Sequence, residues 1–275
     1  VEVIFKKFTK VGYINASENW DTWNTIVNSL QISENPIKIA MVGKYVTLAD
    51  SYVSVNEALK HASASINSTV NIDWIDSETL NGNIKKLSEY QGILVPGGFG
   101  TRGSEGIIET ASFALEQNIP FLGICFGFQL AAVSFGRSVC KLEEANSTEV
   151  SADTKHPIIS LLPEQEGVSN MGGSLRLGAN EINLNKNSLA YKIYNTEVIY
   201  KRHRHRYEFN TNYREQFEKN GMNFTAESDN GKRMEILEVP SHKFFFGVQF
   251  HPEFSSRPGF PEHAFKAFVS AASHN

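Results

Sequence analysis

The first half of the chain alternates short apolar runs with amphipathic stretches. The runs at 37–43 (IKIAMVG), 70–76 (VNIDWID) and 92–98 (GILVPGG) are rich in branched aliphatic residues, as the buried strands of a parallel sheet are. Between them, residues 50–67 and 104–118 carry apolar side chains at about helical spacing. This order of strands and helices predicts an α/β fold with an open, mostly parallel sheet flanked by helices on both faces.

Local signals refine the ends of these elements. Asp50 is a candidate N-cap for the helix predicted over 50–67. The run IPFLGIC (119–125) leads into a further strand. Near the C-terminus, Pro261 is predicted to open a last helix within PEHAFKAFVSAAS.

The pattern changes after about residue 190. The stretches EVIYKRHRHRYEFN, MNFTAESD, RMEILEV and FFFGVQF predict strands separated by turns or one short helix, so we expect an added antiparallel β portion. Residues 1–35 are polar and end in SENP, and we interpret them as a linker or lead-in segment. The domain proper is then predicted to cover 36–275.

The amino-acid composition argues against several classes of function. With 275 residues and 41% hydrophobic side chains, the chain is large enough to bury a sizeable core. Its 26 Lys and Arg stand against 30 Asp and Glu, so nothing draws it to nucleic acid or to an anionic membrane. No apolar stretch reaches the roughly 18–20 residues of a membrane helix, and the N-terminus lacks a secretory pattern. We expect a cytoplasmic protein whose two cysteines stay reduced.

The segment GICFGFQ (123–129) places Cys125 between two glycines, at a predicted strand-to-helix corner. Gly-x-Ser-x-Gly forms a nucleophile elbow in the same context, and the dipole of the following helix favours a thiolate. On this motif alone, Cys125 is either a nucleophile or a small buried residue. Cys140 has no base pattern near it, and we interpret it as a packing residue.

A base and its orienting acid are offered by QFHPEF (249–254). His251 and Glu253 are two residues apart after an apolar run, so in an extended conformation their side chains project to the same side. The carboxylate is then able to hold one imidazole nitrogen while the other faces the sulfur. Four other histidines have no ligand-like spacing: His61, His156, His242 and His263.

The third element is VPGGFG (95–100), at the end of a neighbouring predicted strand. Paired glycines let backbone N–H groups approach a ligand, and with the N–H of Phe126 they are able to form an oxyanion hole. Elbow, base pair and glycine donors together indicate acyl transfer at a thiol.

The motifs PGGFG, GICFGFQ and FHPEF resemble those of the glutaminase domains of class I glutamine amidotransferases. Longer stretches resemble, more closely, the C-terminal glutaminase domains of the CTP synthase family; they are KIAMVGKY, SYVSVNEALKHAS, VPGGFGTRGSEG, EEANSTE, MGGSLRLG, RHRHRYEFN and QFHPEFSSRP. The resemblance covers about residues 36–272. It implies a flavodoxin-like core and the hydrolysis of L-glutamine to glutamate, with ammonia passed to a synthetase domain.

Residue roles follow from the resemblance position by position. Cys125 resembles the nucleophile, His251 the base and Glu253 its orienting acid. The family positions that hold glutamine match Gly98, Phe126, Gln129, Glu149 and Arg206, with backbone oxyanion donors at Gly98 and Phe126. Glu149 suits an α-ammonium and Arg206 an α-carboxylate. Phe126 and Phe128 stand where many relatives have Leu and Met, so we expect a different pocket shape.

The resemblance also implies partners. This domain needs no metal and no cofactor of its own, whereas the full reaction makes CTP from UTP, ATP with Mg and ammonia. The chain has no Gly-x4-Gly-Lys-[Ser/Thr] loop, so we expect those steps in an N-terminal synthetase domain of the same polypeptide. GTP activates family members, and Phe99 and Arg102 are candidates to contact it. A homotetramer is implied for the full enzyme.

Three alternatives remain open at this stage. A cysteine hydrolase of γ-glutamyl or peptide bonds would use the same elbow and triad, but it would not need Glu149 and Arg206. A different class I amidotransferase is the second alternative, although MGGSLRLG and RHRHRYEFN favour the first reading. A non-catalytic regulatory module is the third, and the presence of all three triad residues argues against it.

Overall fold

The computed structural model describes residues 36–161 apart from Thr47, Ala49 and Asn81, residues 175–275, and residues 23, 24, 27 and 28. The linker predicted over 1–35 therefore lies almost wholly outside the described residues. In chain order the strands are β1 (Ile37–Gly43), β2 (Val70–Asp76), β3 (Gly92–Val95), β4 (Phe121–Ile124), β5 (Ala145–Ser147), β6 (His156–Leu161), β7 (Arg176–Leu184), β8 (Val198–His205), β9 (Tyr207–Phe209), β10 (Asn223–Ser228), β11 (Arg233–Glu238) and β12 (Phe245–Val248).

The helices are α1 (Val53–Ala64), α2 (Ser104–Glu116), α3 (Phe126–Ser138), α4 (Leu189–Tyr194), α5 (Arg214–Lys219) and α6 (His263–Ser273). Two expected helix starts are corrected. Tyr52, not Asp50, is the N-cap residue of α1. Glu262, not Pro261, precedes α6, and its carboxylate accepts the N–H of Ala264 at 2.7 Å. Proline fits before the cap equally well, because no helical hydrogen bond is lost there.

A nine-stranded sheet has the order β2-β1-β3-β4-β12-β11-β10-β7-β8. The first five strands are parallel and the last four pair antiparallel, which confirms a mostly parallel sheet with an antiparallel addition. The addition already begins at β7, before residue 190. β12 was expected among the antiparallel strands, but it pairs parallel with β4 and is the strand at which the two halves meet. β5, β6 and β9 form a separate three-stranded sheet that the sequence pattern did not reveal.

Helices cover both faces of the parallel half. One core cluster joins α2 and α3 to the sheet, and the other joins α1 and α6 to its opposite face. β3 and β4 are buried along their whole length, which explains their continuous apolar runs. Among the described residues, no helix combines the length and the apolar character needed to span a bilayer.

Strand β8 forms the edge of the large sheet, and its residues are alternately exposed and buried. Lys201, His203 and His205 face inward, whereas the arginines between them face outward. The stretch RHRHR therefore does not form one basic patch, because its histidines are buried and these arginines lie on the opposite face of the strand. On the buried surface, His203 Nε2 lies 2.8 Å from Glu235 Oε2 on β11, and this pairing ties two strands of the addition together.

The C-terminal helix is attached to β8 by a buried charge pair. Glu262 accepts a hydrogen bond from Lys201 Nζ at 2.7 Å and from the Tyr194 hydroxyl at 2.9 Å, besides capping α6. Its side chain is 1% exposed and that of Lys201 is 9% exposed. Removing one partner of such a pair leaves the other charge buried without compensation.

We predict that Glu262→Ala lowers the free energy of unfolding by about 3–5 kcal/mol, because Lys201 loses its carboxylate and α6 loses its cap. Urea unfolding monitored by circular dichroism measures the loss. Glu109→Ala, at an exposed position on α2, is the matched control and should change stability by less than about 0.5 kcal/mol. Equal stability of the two variants would contradict the role given to Glu262.

Candidate active site

The carboxyl ends of four adjacent parallel strands meet at one edge of the sheet. β1 is followed there by Lys44, β3 by the segment Pro96–Gly100, β4 by Cys125, and β12 by a short segment leading to His251. Open α/β sheets bind their ligands at this edge. The topology therefore brings together three motifs that lie far apart along the chain.

Close packing of the backbone explains both glycines of Gly-x-Cys-x-Gly. A Cβ on Gly127 would lie 2.3 Å from the carbonyl oxygen of Val95, at the end of β3. A Cβ on Gly123 would lie 2.8 Å from the carbonyl carbon of Gly127. Neither position accepts a side chain without moving β3, β4 and α3 apart, so α3 must start tightly against the sheet.

Cys125 itself occupies the sharp corner between β4 and α3. Its φ of 51° and ψ of −99° are unusual for a residue with a side chain, and such strain costs on the order of 1–3 kcal/mol. The backbone holds it there, because its N–H donates to Val248 O at 2.7 Å and its carbonyl accepts from Gln129 N at 3.1 Å. The sulfur thus lies at the N-terminus of α3, which is the positive end of the helix dipole. This is the elbow that the sequence predicts.

His251 and Glu253 form the expected pair, although by a different backbone route. His251 Nδ1 lies 2.8 Å from Glu253 Oε1. Glu253 belongs to a 3-10 turn, Pro252–Ser255, so the expectation of an extended segment is wrong. The turn begins with proline at its first position and aims the carboxylate back at the ring. The backbone N–H of His251 donates to Arg202 O on β8 at 2.8 Å, which anchors the chain at this residue to the edge strand.

The imidazole faces the sulfur across Gly97. A Cβ on Gly97 would lie 2.9 Å from His251 Cε1 and 3.8 Å from Cys125 Cβ, so a side chain there would enter the space between base and nucleophile. Burial by itself lowers the pKa of His251, but hydrogen bonds to Cys125 and Glu253, together with their charges, raise it to about 10. At neutral pH His251 is therefore an imidazolium beside Cys125.

Gly98 and Phe126 lie next to each other, as an oxyanion hole requires. A Cβ on Gly98 would lie 3.5 Å from the Phe126 ring and 3.9 Å from Phe126 Cβ, so Gly98 packs directly against this residue. The rings of Phe126 and Phe128 are buried below the site and are not among the residues that line its pocket. They alter the packing under the pocket rather than its wall.

A pocket of about 530 Å³ opens above Cys125. The predicted residues that line it are Gly98, Phe99, Cys125, Gln129, Glu149, Arg206 and His251. Glu149 Oε1 accepts the N–H of Gly100 at 2.9 Å. An anionic and a cationic side chain thus share a cavity with a thiol, which is the chemistry that a free amino acid needs.

Gln129 was expected to contact substrate, and its amide is already in use. It is 3% exposed, and its Nε2 donates to Tyr207 O at 2.8 Å and to Gln249 Oε1 at 3.2 Å. Gln249 Nε2 in turn lies 3.7 Å from Cys125 Sγ. Sequence reasoning missed Gln249, although it directly precedes the FHPEF motif and follows β12 at the same edge of the sheet.

Arg102 lies outside the set of pocket-lining residues. Its guanidinium contacts Glu78 Oε2 at 2.7 Å and also the carbonyl oxygen of Lys44. Phe99 does reach the pocket, and its ring is 68% exposed, 5.9 Å from the Tyr45 ring. No group of three or more His, Cys, Asp and Glu side chains suited to a metal occurs in the described part of the chain.

Comparison with known proteins gives a consistent result. Residues 47–271 match the model of the class-I glutamine amidotransferase family. The chain is 48% identical to a CTP synthase of Archaeoglobus fulgidus over 99% of its own length and 52% of the relative's, and 51% identical to one of Halalkalibacterium halodurans over 91% and 47%. It thus spans about half the length of these relatives.

Among solved structures, the Trypanosoma brucei CTPS glutaminase domain with bound acivicin superposes with a TM-score of 0.82 and 36% identity. The match covers 87% of this chain and 94% of that domain. A glutamine amidotransferase of Methylobacillus flagellatus, at 13% identity and a TM-score of 0.50, shares the fold alone.

We predict that the His251 imidazolium titrates near pH 10 in NMR spectra of ¹⁵N-histidine-labelled protein, and that Cys125→Ala lowers this pKa because one of its two partners is lost. Since the folded pKa exceeds the unfolded value of 6.5, the interaction stabilises the fold fully below about pH 6.5 and is lost as the pH rises toward 10. His242 serves as the internal control, because burial lowers its pKa. Titration of His251 at or below 6.5 would contradict the pairing.

Proposed function

The chain belongs to the class-I glutamine amidotransferase family, and we propose that it is the glutaminase part of a CTP synthase, hydrolysing L-glutamine to glutamate and ammonia. One observation carries the proposal: Cys125 on a strained elbow, the His251–Glu253 pair beside it, and Glu149 and Arg206 in the same pocket. The first three residues perform acyl transfer, and the last two suit both charged ends of a free amino acid.

In the first step the Cys125 thiolate attacks the side-chain amide carbon of glutamine. A C–S bond forms, and the carbonyl oxygen becomes an oxyanion that the N–H groups of Gly98 and Phe126 stabilise. His251 donates its Nε2 proton to the amide nitrogen, the C–N bond breaks, and ammonia leaves. Glu253 holds Nδ1 throughout, so that Nε2 is the nitrogen that exchanges the proton.

In the second step water cleaves the thioester. Neutral His251 takes a proton from the water as the new C–O bond forms, and the C–S bond then breaks to release glutamate. The regenerated thiolate and the imidazolium restore the starting pair. Each turnover consumes one glutamine and one water, and it needs no redox step.

Substrate selection rests on the charged walls of the pocket. Glu149 binds the α-ammonium with the oxygen that Gly100 does not occupy, and Arg206 binds the α-carboxylate. Gln129 contributes indirectly, because its amide donates to Gln249 Oε1, and Gln249 lies beside the sulfur. A peptide hydrolase of the same fold would gain nothing from Glu149 and Arg206.

The ammonia is used, in this proposal, by a synthetase domain that aminates UTP to CTP with ATP and Mg. The support is that relatives named CTP synthase are about twice as long as this chain and 48–51% identical to it. The resemblance further implies a homotetramer acting in the cytoplasm. GTP as an activator is part of the same proposal. The exposed Phe99 ring is suited to stacking, and the Arg102 guanidinium lies 5.9 Å from the ring centre of Tyr45, which lines the pocket.

We predict that 6-diazo-5-oxo-norleucine labels Cys125 alone, and that excess glutamine suppresses the adduct. Cys140 is the internal control, because burial raises its pKa to about 11 and keeps it protonated at neutral pH. Mass spectrometry of peptides from the labelled protein locates the adduct. An adduct on Cys140 that ignores glutamine, or glutaminase activity that survives Cys125→Ala, would overturn the assignment.

We predict that Arg206→Gln raises the KM for glutamine about 10- to 100-fold, the worth of a charge-assisted hydrogen bond. For glutamine whose α-carboxylate is converted to an amide, the KM of the unsubstituted enzyme should rise by the same factor. The KM of Arg206→Gln for this analogue should be little higher than its KM for glutamine. Arg202→Gln is the matched control, since that arginine is exposed on the preceding strand, β8, and does not line the pocket. Steady-state ammonia release measures all four combinations, and equal KM values for both variants would refute the carboxylate role.

A further inference from the structure

Lys44 is a buried lysine that the proposed chemistry does not use. It follows β1 directly, is 4% exposed, and its backbone N–H donates to the Tyr52 hydroxyl at 3.2 Å. Among the described residues, no carboxylate oxygen lies within hydrogen-bonding distance of its ammonium group. Instead, Nζ donates to the carbonyl oxygens of Phe99, at 2.9 Å, and Gly100.

These contacts hold the glycine loop, residues 97–100, which supplies one oxyanion donor. The loop has few side chains to pack, and its one large ring, Phe99, is 68% exposed. Its position therefore depends on polar contacts. Gly100 is held from both directions, because its N–H donates to Glu149 at 2.9 Å while its carbonyl accepts from Lys44.

The same ammonium group also contacts the other oxyanion donor. Lys44 Nζ lies 4.0 Å from the centre of the Phe126 ring, within the range of a cation–π interaction. Phe126 is the first residue of α3, and its backbone N–H is the second donor of the oxyanion hole. One buried cation thus contacts the carbonyl groups of the glycine loop and the side chain of the residue that begins α3.

We propose that Lys44 is a positioning residue of the oxyanion hole, joining the glycine loop to the start of α3 so that the N–H groups of Gly98 and Phe126 stay aimed at one point. The inference rests on the proposed glutaminase function and deepens it. Lys44 contacts no reacting atom in this scheme. Its effect falls on the transition state, because the hole binds the oxyanion more strongly than the ground-state carbonyl.

The surroundings of Lys44 make its charge sensitive to pH. Burial lowers its pKa to about 8, with Glu149 and Glu78 opposing the shift and Arg102 adding to it. The Phe126 ring lies against the ammonium group, and the Tyr52 hydroxyl accepts the backbone N–H of Lys44. Above pH 8 the amine loses its cation–π contact and one of its donor protons, and the loop is held less firmly.

The test compares steady-state glutamine hydrolysis by the full-length enzyme with that of Lys44→Met. We expect kcat to fall about 10- to 100-fold, somewhat less than the loss of an entire oxyanion donor, with KM changed less than about twofold. Lys38→Met, which replaces an exposed lysine on β1, is the matched control and should keep the wild-type kcat. Alkylation of Cys125 by iodoacetamide, which needs no oxyanion hole, should proceed at the wild-type rate in both variants.

The variant Lys44→Arg tests the pH dependence of kcat, which would not change if Lys44 had only a structural role. Arginine stays charged at all assay pH values, so the fall in kcat near pH 8 should disappear while any fall near pH 10, assigned to His251, remains. If Lys44→Met does not fold, the comparison of Lys44→Arg with the unsubstituted enzyme still tests the proposed role of Lys44. An unchanged alkaline limb in Lys44→Arg, or wild-type kcat in Lys44→Met, would overturn the inference.

The two proposals fail in distinguishable ways. If the unsubstituted enzyme does not release ammonia from glutamine, the proposed function itself is wrong. If it does, and Lys44→Met loses kcat and Cys125 alkylation together, Lys44 supports the whole elbow rather than the oxyanion hole, and the inference is overturned.

Discussion

The carbonyl oxygen of Val95 lies so close to the start of α3 that only a hydrogen atom fits on Gly127. This contact sets how near the helix comes to the sheet, and the close approach leaves Cys125 no relaxed conformation at the corner. The sulfur is consequently raised at the strand edge, at the N-terminus of a helix and in front of the glycine loop. His251, Glu253 and the glycine loop are all arranged around a point that this packing defines.

The charges near that point form a connected arrangement. His251 is kept protonated by its two partners, although burial opposes this. On the other side of the elbow, burial lowers the pKa of Lys44 to about 8, so its charge is lost at mildly alkaline pH. Glu149 is shared between the loop and the substrate pocket. The site therefore balances several costly charges, and each one is stabilised by contacts that also fix backbone geometry.

Sequence patterns predicted the parallel half of the fold well, and β1 and β2 fall on the predicted residues. Their runs are continuous and bounded by glycine or polar residues, so periodicity and composition agree. The short strands β5 and β9 escaped notice because three residues carry no measurable period. The parallel pairing of β12 was also missed, since strand direction depends on a partner more than a hundred residues away.

The same limit applies to the site. Motifs with their own local signature, around Cys125, His251 and the glycine loop, were found from the sequence. Gln249 and Lys44 were not, because their roles come from neighbours distant in the chain: Gln249 from the sulfur of Cys125, and Lys44 from two carbonyls and a ring. A lone lysine or glutamine after a strand is ordinary until topology shows what it meets.

Exposed and buried residues alternate along β8, so the structure depends more on the number of residues in this strand than on their identity. Inserting or deleting one residue within it would exchange its two faces, sending arginines toward Glu235 and the buried side while the histidines turned to solvent. The backbone carbonyl that steadies His251 would shift by the same step. Substitutions on the outer face of this strand should therefore be tolerated during evolution. Insertions or deletions of a single codon should not be.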